Sequence, residues 1–210
     1  MSKLFVISAP SGAGKTSLIE SLLENSPLKN LKLGISSTTR AKRENEVNGE
    51  SYFFTTKYEF LEMSKNGDLM ESAEVFGNLY GTPKKWVKKQ LDKNIDIVLE
   101  LDWQGAQQIK QCYPEAITIF VLPPSKEALR KRLNKRNLDS EIEIKNRLAQ
   151  SKNEIINGSS FDRLIVNDNF ESALNDLILI INHDQELPKE RQEIAKTCLN
   201  LLLDQESSIE

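Results

Sequence analysis

The chain has 210 residues, with 28 Lys and Arg against 31 Asp and Glu, a net charge of −3, and two cysteines. That length is enough for a full buried core, and the negative balance supplies no global field for nucleic acid. Cys112 and Cys198 lie far apart without metal-ligand spacing, which argues against a disulfide framework or zinc site and fits a reducing cytoplasm.

The longest apolar runs are of strand length, so no membrane span is expected. Met1-Ser2-Lys3 leads straight into the first apolar run, so no signal peptide is expected either. The one histidine, His183, falls beyond a predicted helix, which makes a histidine-dependent mechanism improbable.

The first predicted element is the strand Leu4-Phe5-Val6-Ile7. It is followed by Ser8-Ala9-Pro10-Ser11-Gly12-Ala13-Gly14-Lys15-Thr16, and then by Leu18, Ile19, Leu22 and Leu23 at helical spacing. Strand, tight loop and helix in this order make a cradle for a polyphosphate. Successive backbone N–H groups and the unpaired first turn of the helix point at one anion. Lys15 reaches the β- and γ-phosphates and the Thr16 hydroxyl ligates Mg²⁺. The usual pattern has Gly where this chain has Ala9, the smallest substitute.

Leu33-Gly34-Ile35-Ser36 reads as a short strand. The stretch 36–93 then breaks the α/β alternation and reads as a small inserted α+β lobe. It holds Tyr52-Phe53-Phe54, a Thr56-x-x-Glu59 capping box, a polar-aromatic segment from Asp68 to Tyr80, and a helix from Thr82-Pro83 through Leu91. Arg40 and Arg43, three residues apart, offer guanidinium forks, and Tyr52 a phenol, for a second phosphate group; a solvated charged loop is the equal alternative.

Ile95–Leu101 is a nearly continuous apolar run, as in strands buried on both faces of a parallel sheet. Gln104–Cys112 reads as a helix and Ala116–Leu122 as another buried strand. Ser125 is the expected N-cap of a helix through Arg136, and Ser140 with Glu143 the capping box of a helix toward Asn157. Leu164-Ile165-Val166 is one more strand. Helices follow from about Phe170 to Asn182 and from Pro188, at the first helical position, to about Leu203, with the tail Asp204–Glu210 fraying.

Several motifs, in order, resemble those of the bacterial guanylate kinase family. They are Ala9–Thr16, Ser36-Ser37-Thr38-Thr39-Arg40, Gly49-Glu50-Ser51-Tyr52-Phe53-Phe54, Glu71 to Tyr80-Gly81-Thr82, Leu101-Asp102-Trp103-Gln104-Gly105, and Ile165-Val166-Asn167-Asp168. The resemblance runs from Leu4 to about Ile180. It implies a P-loop parallel sheet flanked by helices, with an inserted small α+β GMP-binding lobe and a helical lid, in one domain. The core would be 1–35, 94–124 and 158–204, the lobe 36–93 and the lid 125–157.

The implied activity is transfer of the γ-phosphoryl group of ATP to GMP, with Mg²⁺, in the cytoplasm. The implied ATP site is Ala9, Pro10, Ser11, Gly12, Ala13, Gly14, Lys15 and Thr16, with Arg136 and Asn167. Arg40, Arg43, Tyr52 and Tyr80 match positions that hold the GMP phosphate, and Glu71, Ser36 and Thr82 those that read the guanine. Glu46 and Asp102 join the GMP side, Asp102 as a group that could also orient an arginine. Glu100 and Thr16 are the metal positions. Lys15, Arg40, Arg136 and Arg147 are the catalytic positions, the latter two from the lid that also carries Arg132.

Glu71 suits guanine because N1–H and the 2-amino group are neighbouring donors, whereas adenine presents a lone pair at N1. Sites built on such hydrogen bonds discriminate by roughly 10⁴–10⁵. The hydroxyls of Ser36 and Thr82 can donate to O6 or N7. The chain departs from the family at Glu100, where Asp is usual, at Asn137, where Gly is usual, and at Glu44-Asn45. Glu44 adds negative charge near a phosphate site and is expected to weaken GMP binding modestly.

Two other classes of function fit the sequence less well. A non-catalytic guanylate-kinase-like module capturing a phosphopeptide lacks a working P-loop, and this chain keeps Gly14-Lys15-Thr16. An RNA-binding protein using the basic run Arg130–Arg136 conflicts with the negative net charge. Acceptance of dGMP and a homo-oligomer built on the last helix stay open.

Overall fold

The computed structural model describes residues 2–25, 30–75, 77–135, 141–183 and 186–204. Arg136, Asn137 and Ser140, the side chains of Glu143 and His183, and the tail beyond Asp204 lie outside what is described. In chain order the first elements are β1 (Leu4–Ser8), α1 (Lys15–Asn25), β2 (Leu31–Leu33), β3 (Ser37–Thr38), β4 (Phe53–Phe54) and α2 (Lys57–Lys65). Then come β5 (Leu69–Val75), β6 (Asn78–Pro83), α3 (Lys84–Leu91), β7 (Asp96–Glu100), α4 (Trp103–Cys112) and β8 (Ile117–Leu122). The last are α5 (Lys126–Lys135), α6 (Glu141–Gly158), β9 (Arg163–Val166), α7 (Phe170–His183) and α8 (Lys189–Asp204).

The chain divides into two compact units, 1–6 with 30–117, and 7–29 with 118–210; β1 runs through the division. In the first unit the parallel strands lie in the order β2-β7-β1, with Leu31 opposite Asp96 and Leu33 opposite Val98. Ile97, Val98 and Leu99 are all buried, as a strand covered on both faces requires. The second sheet of this unit has the order β4-β3-β6-β5: β3 is parallel to β4, and β6 runs antiparallel to both β3 and β5.

Leu33–Ser36 does not form the single strand expected of it. Strand β2 ends at Leu33 and β3 begins at Ser37. The Gly34 N–H still donates to Val98 O of the first sheet at 2.7 Å, while Ser36 O accepts from Phe53 N of the second at 2.9 Å. The chain crosses between sheets within these residues, and one strand cannot serve both.

Helix α2 starts as its sequence dictates. Thr56 caps it and accepts from the Glu59 N–H, and the Glu59 carboxylate accepts from the Thr56 N–H at 2.8 Å. Phe60 from this helix, with Leu69 and Val87, forms the buried core under the small sheet. Gly81 is needed there because a Cβ would stand 2.9 Å from the Glu71 carbonyl oxygen and 3.0 Å from Phe60 Cζ. Thr82 and Pro83, expected to open a helix, instead finish β6, and Pro83 is the N-cap of α3. The Pro83 backbone is extended, with φ −68° and ψ 119°, so the helix starts only at Lys84.

In the second unit the order is β1-β8-β9, with β8 and β9 parallel and Phe120 opposite Leu164. Helix α1 packs on α7, and α8 covers the edge strand β9. The core combines Leu18, Ile19 and Leu22 of α1 with Ile119–Leu122, Ile165 and Val166, and with Ala173, Leu177 and Ile180 of α7. Ser125 Oγ accepts from the Ala128 N–H at 3.1 Å, the expected cap of α5. Pro188 stands one residue before α8, its carbonyl accepting from Gln192 N. The apolar positions of α8 divide: Ala195, Cys198, Leu199 and Leu202 are buried, whereas Ile194 and Leu201 are exposed.

Candidate active site

The phosphate loop belongs to the second unit. Gly12 and Gly14 adopt φ of +90° and +95°, a region that side chains resist, so both glycines are demanded by the backbone path. At Gly14 a Cβ would also stand 2.5 Å from Asn167 Nδ2. Ala9 and Ala13 are buried, Ser11 is half-buried, and the Ala13 N–H closes the turn on Pro10 O at 3.0 Å. Lys15 is the first residue of α1 and half-buried, while Thr16 beside it is exposed.

The carbonyl of Ala13 accepts two hydrogen bonds, from Asn167 Nδ2 at 2.7 Å and from Arg132 Nη1 at 3.1 Å. In a trans peptide the C=O and the following N–H point in opposite directions. Anchoring Ala13 O therefore turns the Gly14 N–H the other way. Arg132 Nη2 also donates to the Asn167 carbonyl at 2.9 Å, which joins α5, the β9–α7 turn and the loop. Arg147 on α6 places Nη1 3.5 Å from Ser11 Oγ, and the Ser11 N–H donates to Glu154 Oε2 at 3.3 Å. The structure thus brings Asn167, whose match to the family is a position near the ATP ribose or base, and Arg147 to the loop itself. Arg136 lies outside the described residues.

Arg132 and Glu154 are the residues that sequence reasoning missed as loop contacts. For Arg132 a signal existed, since it stands in the basic helix among the lid arginines. For Glu154, in the second half of an 18-residue helix and outside any motif, there was none.

The first unit carries the other candidate residues. Arg40 donates through Nη1 to Ala41 O at 2.8 Å and through Nη2 to Glu46 Oε1 at 2.6 Å. Its guanidinium carbon lies 5.4 Å from the Tyr52 ring centroid and 6.0 Å from that of Phe54. Glu46 Oε2 accepts from the Arg43 N–H at 2.8 Å, so one carboxylate ties the Arg40 side chain to the Arg43 backbone. The bond from Arg40, and then that from Arg43, hold the Glu46 carboxyl below the usual range. Tyr52 and Tyr80 meet edge to face with centroids 6.0 Å apart. Burial raises the Tyr52 phenol, as do Tyr80 and Glu100, against the opposing pull of Arg40. It therefore remains a protonated donor.

Glu71 is only 4% exposed, on β5 where the register against β6 shifts between Leu69 and Ser72. Thr82 Oγ1 donates to Glu71 Oε1 at 2.7 Å, and Ser36 Oγ lies 3.5 Å from Thr82 Oγ1. Burial pushes the Glu71 carboxyl up to about 7, the Thr82 bond opposing and the Asp102 charge reinforcing the rise. Asp102 caps α4, its Oδ1 accepting from the Gly105 N–H at 2.8 Å. Glu100 ends β7 and is half-buried.

The residues proposed for a metal, Thr16 and Glu100, offer a hydroxyl and a carboxylate. Each is a hard oxygen donor of the kind Mg²⁺ takes together with substrate phosphates and water, so each by its own chemistry fits that ion. No cluster of three or more His, Cys, Asp or Glu able to hold a metal by themselves occurs among the described residues. Nor is any helix among them long and apolar enough to cross a membrane.

Comparison with known proteins agrees with this arrangement. The family model described as guanylate kinase matches residues 1–184. A guanylate kinase from Vibrio cholerae is 48% identical over 182 residues, covering 87% of this chain and 88% of that one. One from Hahella chejuensis is 50% identical over 175 residues, covering 83% of each. The crystal structure of guanylate kinase from Anaplasma phagocytophilum superposes with a TM-score of 0.67 at 32% identity, covering 100% of this chain and 97% of that one. A loop strained into two left-handed glycines, a buried carboxylate with its hydroxyl partner, and these likenesses lead to one conclusion: the chain belongs to the guanylate kinase family.

Proposed function

We propose that this chain transfers the γ-phosphoryl group of ATP to GMP, giving ADP and GDP, with the roles divided between its two units as follows. The single observation that carries the acceptor assignment is the buried Glu71 carboxylate with Thr82 as its donor. Guanine N1–H and the 2-amino group would both donate to this carboxylate. With its own proton on Glu71, Thr82 keeps only acceptor lone pairs. The donor to guanine O6 or N7 is then Ser36, and Thr82 acts through Glu71.

Arg40, Arg43, Tyr52 and Tyr80 take the GMP phosphate. The stack of Arg40 over Tyr52 and its bond to Glu46 support this reading, because they hold a planar fork ready before the anion arrives. Asp102 serves by capping the helix beneath the base pocket. The triphosphate lies on the N–H groups of Ala9–Thr16, with Lys15 on the β- and γ-phosphates and Asn167 as the support of the loop. Arg147 and Arg136 supply positive charge to the transferring group. Phosphoryl transfer has a loose transition state, so positioning and charge are what the protein must contribute.

Mg²⁺, held by Thr16 and by Glu100 through water, would neutralise charge on the β- and γ-phosphate oxygens when bound. The cytoplasm is the setting we infer, with both cysteines as free thiols.

The test is ADP production from Mg-ATP with GMP, dGMP, AMP, UMP and CMP in parallel at equal enzyme concentration. Turnover with GMP, with or without dGMP, and none with the others is expected. Intact GMP binding without turnover on any acceptor would return the chain to a non-catalytic binding module.

A further inference from the structure

Helix α8 begins at Lys189, beyond the match of the family model, which ends at residue 184. Its first turn nevertheless reaches the turn that carries Asn167. Arg191 Nε donates to Asp176 Oδ2 at 2.8 Å, and Arg191 Nη2 lies 2.7 Å from the same oxygen. Nη1 and Nη2 each lie 3.4 Å from an oxygen of Asp168, and Nη2 also donates to Val166 O at 3.3 Å. One half-buried guanidinium thus holds the residue before Asn167, the residue after it, and the buried carboxylate of α7.

Asn167 is in turn pinned by its own N–H to Leu122 O at 2.9 Å, and it donates to Ala13 O and accepts from Arg132. A residue whose two neighbours are clamped loses backbone freedom, and its side-chain amide then has one aim. Here that aim is the carbonyl whose orientation turns the Gly14 N–H toward the anion. A guanidinium suits the task because its donors lie in one rigid plane, whereas an ammonium would serve one acceptor at a time without fixed direction.

We propose that Arg191 is a positioning residue for the donor-nucleotide site, fixing through Val166 O and Asp168 the turn that sets Asn167 against Ala13 of the phosphate loop. The inference rests on the reading of Ala9–Thr16 with Asn167 as that site. A role confined to stability is the competing explanation. Burial raises the Asp176 carboxyl above its ordinary value while Arg191 opposes the rise, so losing Arg191 also leaves a poorly satisfied buried acid. The experiment must therefore separate stability from binding.

The full chain carrying Arg191→Met, Arg191→Lys, Asn167→Ala, or Arg191→Met with Asn167→Ala would be assayed with ATP varied at saturating GMP, and the reverse, with Tm measured for each. Arg191→Met is expected to raise KM for ATP by ~3- to 30-fold, leave KM for GMP within twofold, and add nothing further in the Asn167→Ala background. Arg191→Lys is expected to recover much of the Tm and little of the KM for ATP.

A fall in Tm with KM for ATP unchanged in Arg191→Met, while Asn167→Ala raises it, overturns the inference alone. No change of KM for ATP in Asn167→Ala overturns the reading of the site on which the inference rests. Additive effects in the double variant overturn the route through Asn167. Should Arg191→Met fail to fold, Asp168→Asn loosens the same clamp at an exposed carboxylate and is judged by the same criteria.

Discussion

Thr82 Oγ1 stands 2.7 Å from Glu71 Oε1 across the β5–β6 hairpin, and both residues are buried. A carboxylate with a single hydroxyl donor in so dry a place is balanced between its two protonation states near neutrality. If Glu71 reads guanine as proposed, binding of the base is expected to depend on pH.

Only the ionised Glu71 can accept from guanine N1–H and the 2-amino group. With its pKa pushed up to about 7, KM for GMP is expected to rise as pH falls through neutrality and to level off above about pH 8. Glu71→Gln should flatten this profile and lose much of the preference for GMP over AMP. The sign for stability is opposite. The folded state binds this proton more tightly than the unfolded chain, so between about pH 4.5 and 7 stability falls as pH rises, by on the order of 3 kcal/mol in total from this group. Urea titrations of the wild type and of Glu71→Gln across that window would check it.

Thr82→Val keeps the shape and removes the donor. Losing a hydrogen bond to a charged group costs about 1.5–3 kcal/mol, so KM for GMP at pH 8 should rise by ~10- to 100-fold, and the midpoint of the pH profile should move upward. An unmoved midpoint would separate Thr82 from Glu71 in function.

Arg40 divides its donors between Ala41 O and Glu46 while lying over Tyr52. Lysine cannot satisfy that geometry. Arg40→Lys is expected to raise KM for GMP by ~10- to 100-fold with KM for ATP unchanged, measured from initial rates with each substrate varied in turn.

Gly14→Ala sets a Cβ 2.5 Å from Asn167 Nδ2 on a backbone held at φ +95°. Strain of this kind costs about 1–3 kcal/mol, and it falls on the contact that orients the loop. Binding of a fluorescent ATP analogue should be abolished or weakened more than tenfold, with only a modest fall in Tm. GMP binding, measured by calorimetry, should be retained.

Much of this was legible in the chain itself, for reasons that can be named. The strand, loop and helix from Leu4 to Leu23 are contiguous, so apolar runs, glycines and the first helical turn specify one another locally. The Thr56–Glu59 capping box is legible for the same reason, since both partners stand on one turn. Where structure and local pattern differ, the cause is tertiary. Ile35 and Ser36 look like strand continuation, yet the chain is there passing from one sheet to another. Thr82 looks like a helix opener, yet its hydroxyl is claimed by Glu71 eleven positions away.

By itself the sequence determined the alternation of strands and helices, the phosphate loop, and the candidate residues of both half-sites. The first two are written in short-range pattern and side-chain chemistry, whereas most of the candidate residues follow from the resemblance of the motifs to the guanylate kinase family. Only the tertiary structure decided that Asn167 and Arg132 converge on Ala13 O from 154 and 119 positions away, and that the Thr82 hydroxyl gives its proton to Glu71. It likewise decided that α8 returns Arg191 to the turn beside Asn167. A hydrogen bond between distant residues depends on the whole path of the chain between them. Local periodicity carries no record of that path.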